Sequence, residues 1–175
     1  DEDKDVEKKL RDIIKRNKET SRDVARRLEE IIKRNKKTSD EVATEVRKLI
    51  KEIEDVLRRG DGSREELEKL LEEVRKRLED VHRENKESLK KVEDELKEVH
   101  RRNDESLKRV RERIEKENLD EKVKEELRRL IEEIKEHNER VLRKLRKLVE
   151  EIERTNEDIR RELKELVEDI RRKAK

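Results

Sequence analysis

Three histidines, His82, His100 and His137, carry the side chains of this sequence whose unperturbed pKa lies near neutrality, and each stands beside short polar residues that interrupt an apolar pattern. Imidazoles can bind a metal, serve as a general base or titrate. Zinc takes three or four protein ligands; there is no Cys, and His100 and His137 fall in one layer of the pattern while His82 falls in another. At most two imidazoles converge, so no metal site is expected. Nucleophilic catalysis needs a nucleophile, a base and a cleft, and Ser106 near His100 supplies only a fragment of that in a position filled by packing. No catalytic residue and no cofactor-binding residue is expected either. Titration remains. If the imidazoles are buried and neutral, their folded pKa lies below the unfolded ~6.5, and stability falls as pH drops below that value. Carboxylates on neighbouring turns would reverse the sign.

The composition narrows the field further. Of 175 residues, 61% are Asp, Glu, Lys or Arg, none is aromatic, and Met, Pro and Cys are absent. Disulfide scaffolds, thiolate sites and aromatic base-stacking platforms are thereby excluded. No apolar run exceeds two residues, as at Ile13-Ile14, which excludes a membrane span or a secretory signal and leaves a soluble chain with no membrane partner. The 54 basic and 52 acidic side chains nearly cancel to +2 and are interspersed. Glu29–Lys33, Glu72–Lys76 and Glu73–Arg77 have the spacing of intrahelical pairs, worth ~0.2–0.5 kcal/mol each. No basic stripe survives for a phosphate backbone, so no nucleic-acid partner is expected. Arg59-Gly60-Asp61 reads as an integrin-binding tripeptide, but a helix cap followed by a turn Asp accounts for it.

So little hydrophobicity suggests disorder at first, yet the apolar residues are strictly placed. From Val6 the seam reads Leu10, Ile13, Asn17, Thr20, Val24, Leu28, Ile31, Asn35, Thr38, Val42, Val46, Leu49, Ile53 and Val56. Steps of three and four are helical spacing. Ile14, Ala25, Ile32, Ala43 and Ile50 flank this seam, and no second apolar stripe is left on an opposite face. The two glycines, Gly60 and Gly62, flank Asp61 where the first helix must stop; Arg58 and Arg59 suit its last turn, and Ser63 with Glu66 forms a capping box for the next. Asn118 can take the left-handed conformation after the second helix, Leu119 can pack back, and Asp120 can cap the third. The chain is therefore expected to be all-α, a single domain over 1–175, with helices near 3–59, 64–117 and 121–173, each about 80 Å long. Short loops make this a long antiparallel up-down-up three-helix bundle.

The period sets the geometry. Leu10 to Lys18 recurs almost unchanged as Leu28 to Lys36; Leu78-Glu79-Asp80-Val81-His82 matches Leu96-Lys97-Glu98-Val99-His100; Leu130-Ile131-Glu132-Glu133-Ile134 matches Leu148-Val149-Glu150-Glu151-Ile152. The offset of eighteen residues is five helical turns, so the buried stripe does not drift and the bundle should be nearly straight. With these repeats, the Gly60-Asp61-Gly62-Ser63 loop, a Leu/Ile/Val core and Glu, Lys and Arg on nearly every exposed position, the sequence resembles de novo designed parametric straight helical bundles with buried hydrogen-bond networks. The resemblance covers the whole chain and implies a synthetic scaffold with no natural biochemical function, hyperstable and made in a bacterial cytoplasm.

The polar residues inside the stripe hold the remaining information. Asn35 precedes Gly60 by twenty-five residues and Asn85 follows it by twenty-five; Asn17 and Asn103 both lie forty-three away. Counting about Leu119 adds the third helix to the same two layers. One layer would hold Asn17, Thr20, Ser21, His100, Asn103, Ser106, His137 and Asn138; the other Asn35, Thr38, Ser39, His82, Asn85, Ser88, Thr155 and Asn156, about 27 Å along the axis. A buried polar group without a partner costs ~1–3 kcal/mol, so such layers are tolerable only if mutually satisfied, and a slipped register would set Asn or His against Leu. The expected role is to specify register and pairing in a monomer that needs no partner and no cofactor. The alternative is an interaction module: an acceptor for a further helix, or a subunit of a pH-responsive helical assembly triggered by histidine protonation.

Overall fold

The computed structural model of the chain describes residues 2–60 and 64–174. Three helices account for nearly all of them: α1 spans Glu2–Arg59, α2 Arg64–Lys116 and α3 Glu121–Lys173. The protein is all-α, a three-helix bundle. Charges follow the helix dipoles, with Glu2, Asp3 and Asp5 in the first turn of α1 and Arg171, Arg172 and Lys173 in the last turn of α3.

Packing divides the chain into two compact units, Asp1–Glu30 with Val92–Leu148, and Ile31–Lys91 with Val149–Lys175. In the first unit, Leu10 and Ile14 of α1 meet Leu107, Val110 and Ile114 of α2 and Leu127, Ile131 and Ile134 of α3. In the second, Val42, Val46, Ile50 and Ile53 of α1 meet Leu67, Leu71 and Val74 of α2 and Leu163, Val167 and Ile170 of α3. Each such side chain contributes ~1.5–3 kcal/mol by leaving water. Ion pairs give the helix directions. In the first unit Arg11 reaches Glu126 at 3.1 Å and Arg27 reaches Glu95; in the second Arg47 reaches Glu162 at 3.1 Å and Arg77 reaches Glu45 at 3.3 Å. Together with the asparagine pairs below, they set α2 antiparallel and α3 parallel to α1 within each unit. Two expected intrahelical pairs are partnered otherwise. Glu72 accepts from Arg75, which holds its carboxyl below the usual range, and Arg77 turns to Glu45.

The inward face of α1 is turned from the expected seam. Its buried residues are Leu10, Ile14, Asn17, Ser21, Leu28, Ile32, Asn35, Ser39, Val42, Ala43, Val46, Ile50 and Ile53. Ile13, Ile31 and Leu49 are half-buried, and Thr20 and Thr38 are exposed. The reason is angular. At 3.6 residues per turn, Ser21 is turned about 40° from Asn17, whereas Thr20 is turned about 60° the other way. With two helices packed against it, α1 centres its buried face on the closer set.

Gly60 ends α1 with φ 67°, its N–H still bonded to the Val56 carbonyl at 3.1 Å. A left-handed conformation costs other residues ~1–2 kcal/mol, so glycine belongs there. The rest of that loop, Asp61, Gly62 and the expected cap Ser63, lies outside the described residues. The second connection corrects an expectation: no described residue other than glycine has positive φ, so Asn118 does not take the left-handed form. The Glu117 N–H bonds Arg113 at 3.0 Å, Asn118 to Asp120 leave the helix, and Leu119 packs on the first unit's core. That burial anchors the chain without a left-handed cap. The Asp120 carbonyl then accepts from Lys124 N–H at 3.0 Å, opening α3.

Candidate functional site: the buried polar layers

In the first unit, Asn17 of α1, Asn103 of α2 and Asn138 of α3 are all buried, as is Ser21 one turn after Asn17. Asn17 Nδ2 donates to the Asn103 backbone carbonyl at 3.2 Å, Asn138 Nδ2 donates to Asn17 Oδ1 at 2.9 Å, and Asn103 Nδ2 donates to Ser21 Oγ. The backbone carbonyl fixes the direction of this chain. A carbonyl only accepts, so Asn17 must turn its amide nitrogen toward Asn103 and its oxygen toward Asn138. The network thus ends on Asn138 Oδ1, which is buried and has no hydrogen-bond partner.

In the second unit, Asn85 Nδ2 donates to Ser39 Oγ at 2.6 Å, and Asn156 Nδ2 reaches Asn35 Oδ1 at 3.5 Å. Asn35, Ser39 and Asn85 are buried, Asn156 is half-buried, and its Oδ1 again lacks a partner.

The remaining residues of the expected layers stand apart from these bonds. Thr20 and Thr38 face water for the angular reason given above. Thr155 donates to the Glu151 carbonyl of its own helix at 2.9 Å, a local bond that a β-hydroxyl makes readily. Ser88 and Ser106 are half-buried and join none of the interhelical bonds.

All three histidines are half-buried, and their surroundings differ. Burial pushes His137 below its ordinary value, helped by the cations Lys18, Arg22 and Arg140, and its Nε2 is buried without a partner. Burial also lowers His82, followed by Arg160, with Lys86 and Lys164 adding to the effect and Glu157 opposing it. His100 Nε2 lies 3.3 Å from Asp104 Oδ2, one turn along α2. Among the described residues, no group of three or more His, Asp or Glu is arranged to hold a metal, and no helix is long and apolar enough to cross a membrane.

The two layers differ in one wall. Eighteen residues after Leu142, which is buried in the first unit, the second has Arg160. A groove of about 410 Å³ opens there, lined by His82, Asn85, Lys86, Leu89, Asn156 and Arg160 among others. Aligning α3 with itself at the eighteen-residue offset exposes this exchange, along with His137 against Thr155. The sequence therefore held the signal. The ion pairs between helices were not readable in the same way, because nearly every surface position carries a charge.

These features define a class: a three-helix bundle whose helices are tied together inside each unit by buried asparagine and serine side chains. Among solved structures, one described as a computationally designed three helix bundle is similar to this chain, with a TM-score of 0.52 and 19% sequence identity, over 99% of this chain and 84% of its own. The likeness is one of fold. No protein-family model matches the chain, and no curated protein does.

Proposed function

We propose that this protein is a designed structural scaffold, a single-domain monomer with no reaction and no cofactor, in which the buried Asn and Ser side chains specify how the helices pair. The observation that carries the reading is the directed chain from Asn138 through Asn17 to Asn103, which joins three helices at one level. A shift of register sets these amides against Leu or Ile, and each buried polar group left unpaired costs ~1–3 kcal/mol. Apolar layers impose no such penalty and so discriminate poorly between registers. The fold neighbour's description agrees with a designed origin. The test is to replace Asn17, Asn103 and Asn138 together by Leu. Helicity and thermal stability should hold or rise, while light scattering and hydrogen exchange should reveal several species. A variant that stays as monodisperse and as uniformly protected as the parent would sink the proposal.

A second reading has its own support. His137 buries an unpartnered Nε2 among Lys18, Arg22 and Arg140, an arrangement that disfavours a second proton. Acid would then loosen the first unit, as a pH-responsive subunit or an acceptor for a further helix requires. Mass measured by light scattering between pH 8 and pH 4.5 tests it. A mass near 21.5 kDa throughout, at every concentration, removes this reading.

A further inference from the structure

Each polar layer borders a small cavity, and the two cavities are built alike. That of the first unit measures about 20 Å³ and is lined by Ser21, Ala25, His100, Asn103 and Asn138 with apolar neighbours. That of the second measures about 30 Å³ and is lined by Ser39, Ala43, His82, Asn85 and Asn156 in the corresponding places. Every one of these residues stands eighteen positions from its counterpart. The space arises where α1 carries alanine, at Ala25 and Ala43, among Leu and Val from the other helices.

The hydrogen bonds say what each cavity takes. Asn138 Oδ1 is an acceptor without a donor, on a side chain only 5% exposed. Its amide cannot be turned over, because its Nδ2 is committed to Asn17 Oδ1, whose own orientation the Asn103 carbonyl fixes. Ser21 Oγ accepts from Asn103 and so keeps its own hydrogen to give. One wall thus offers a donor and another requires one. The second unit repeats this with Asn85 donating to Ser39 and Asn156 Oδ1 unpartnered. A group that accepts from the serine and donates to the asparagine completes each network, and a volume of ~10–15 Å³ suffices for a water but for no organic molecule.

We infer that each unit is a binding site for one internal water, held between Ser21 and Asn138 in the first and between Ser39 and Asn156 in the second. The inference rests on the bonds of the layers, whatever the layers are for. The two waters differ in lifetime. Leu142 lines the first cavity, whereas its counterpart Arg160 lines both the second cavity and the neighbouring groove of about 410 Å³, together with His82, Asn85 and Asn156. The second water therefore exchanges with bulk faster than the first.

The experiment is oxygen-17 magnetic relaxation dispersion of water in solutions of the intact chain, which counts long-lived internal waters without interference from labile protons. A dispersion equivalent to one water per unit is expected, with two correlation times. Ala25→Val should remove the slower contribution, Ala43→Val the faster, and both together the whole dispersion, with circular dichroism verifying the helices. Arg160→Leu should slow the faster one. Absence of dispersion in the parent overturns the inference even if a valine variant fails to fold; so does a dispersion that folded valine variants leave unchanged. Loss of register specificity on replacing the asparagines tests the scaffold reading separately and moves neither of these outcomes.

Discussion

Asn138 gives its amide hydrogen to Asn17 Oδ1 at 2.9 Å, and eighteen residues further along both helices Asn156 approaches Asn35 Oδ1 only to 3.5 Å. The two pairs have the same sequence offset, so the backbone register is common and the difference lies in the surroundings. Asn138 is buried beside Leu142; Asn156 is half-buried beside Arg160. The first is the shorter bond in the drier setting, and a bond screened from water is the harder to replace.

Asn17 is therefore the residue whose loss is felt most within its layer. Asn17→Leu leaves the Asn138 amide without a partner and takes the side-chain donor from the Asn103 carbonyl, which keeps its own helix bond, so a loss of about 1–3 kcal/mol is expected. Asn17→Leu combined with Asn138→Leu removes two polar ends at once and should recover much of that loss. Denaturant unfolding followed by circular dichroism measures both. A double variant as unstable as the sum of its parts would contradict the coupling.

Arg160→Leu restores the residue that the eighteen-residue repeat places in the first unit. The Arg stem already covers some apolar surface, so a gain of about 1 kcal/mol is expected rather than the full burial of a leucine. The same change removes the second cause holding His82 down, so the His82 pKa should rise toward its ordinary value. Proton NMR titration of the imidazole reads this directly; a pKa that falls or stays fixed would count against the assignment.

The fold was legible because eighteen residues are five whole turns: the repeat, the glycines at 60 and 62 and the alternation of three and four leave little choice of element or topology. What was not legible was which of two adjacent residues faces inward. Ile13 and Ile14, Thr20 and Ser21, Ile31 and Ile32, Thr38 and Ser39 are pairs of similar type, and one helix alone does not say where its two neighbours will sit. The spacing of the asparagines about the loops constrains them on three helices at once, and they hydrogen-bond between helices in each unit. Thr20 and Thr38 carry no such constraint, because a hydroxyl is equally at home facing water. Asn118 needs no left-handed cap since the half-buried Leu119, packed on the first unit's core, anchors the chain there.

Gly60 tests the first turn. Its φ of 67° lies where side chains are strained, and no neighbouring atom stands within 4 Å of an added Cβ, so Gly60→Ala isolates backbone strain from crowding. A loss of ~1 kcal/mol is expected, offset slightly by the lower entropy of the unfolded alanine chain. Thermal melts at fixed pH measure it, and an unchanged or raised midpoint would show that the turn adapts.

The pH dependence follows from the two depressed histidines. In the unfolded chain His82 and His137 titrate near 6.5; in the folded protein both titrate lower, His137 through burial and the cations Lys18, Arg22 and Arg140, His82 through burial and Arg160. Between the unfolded and folded values the unfolded chain binds more protons, so folding stability is fully present above the unfolded value and is lost as pH falls through the folded ones. The expected result is a denaturant midpoint that declines on acidification from pH 7.5 to pH 5 in the parent. The decline should shrink in His137→Gln and shrink again in His82→Gln with His137→Gln. A midpoint flat across that range, or a decline that the His82 and His137 replacements leave unchanged, would show that protonation is governed by groups other than those facing His82 and His137.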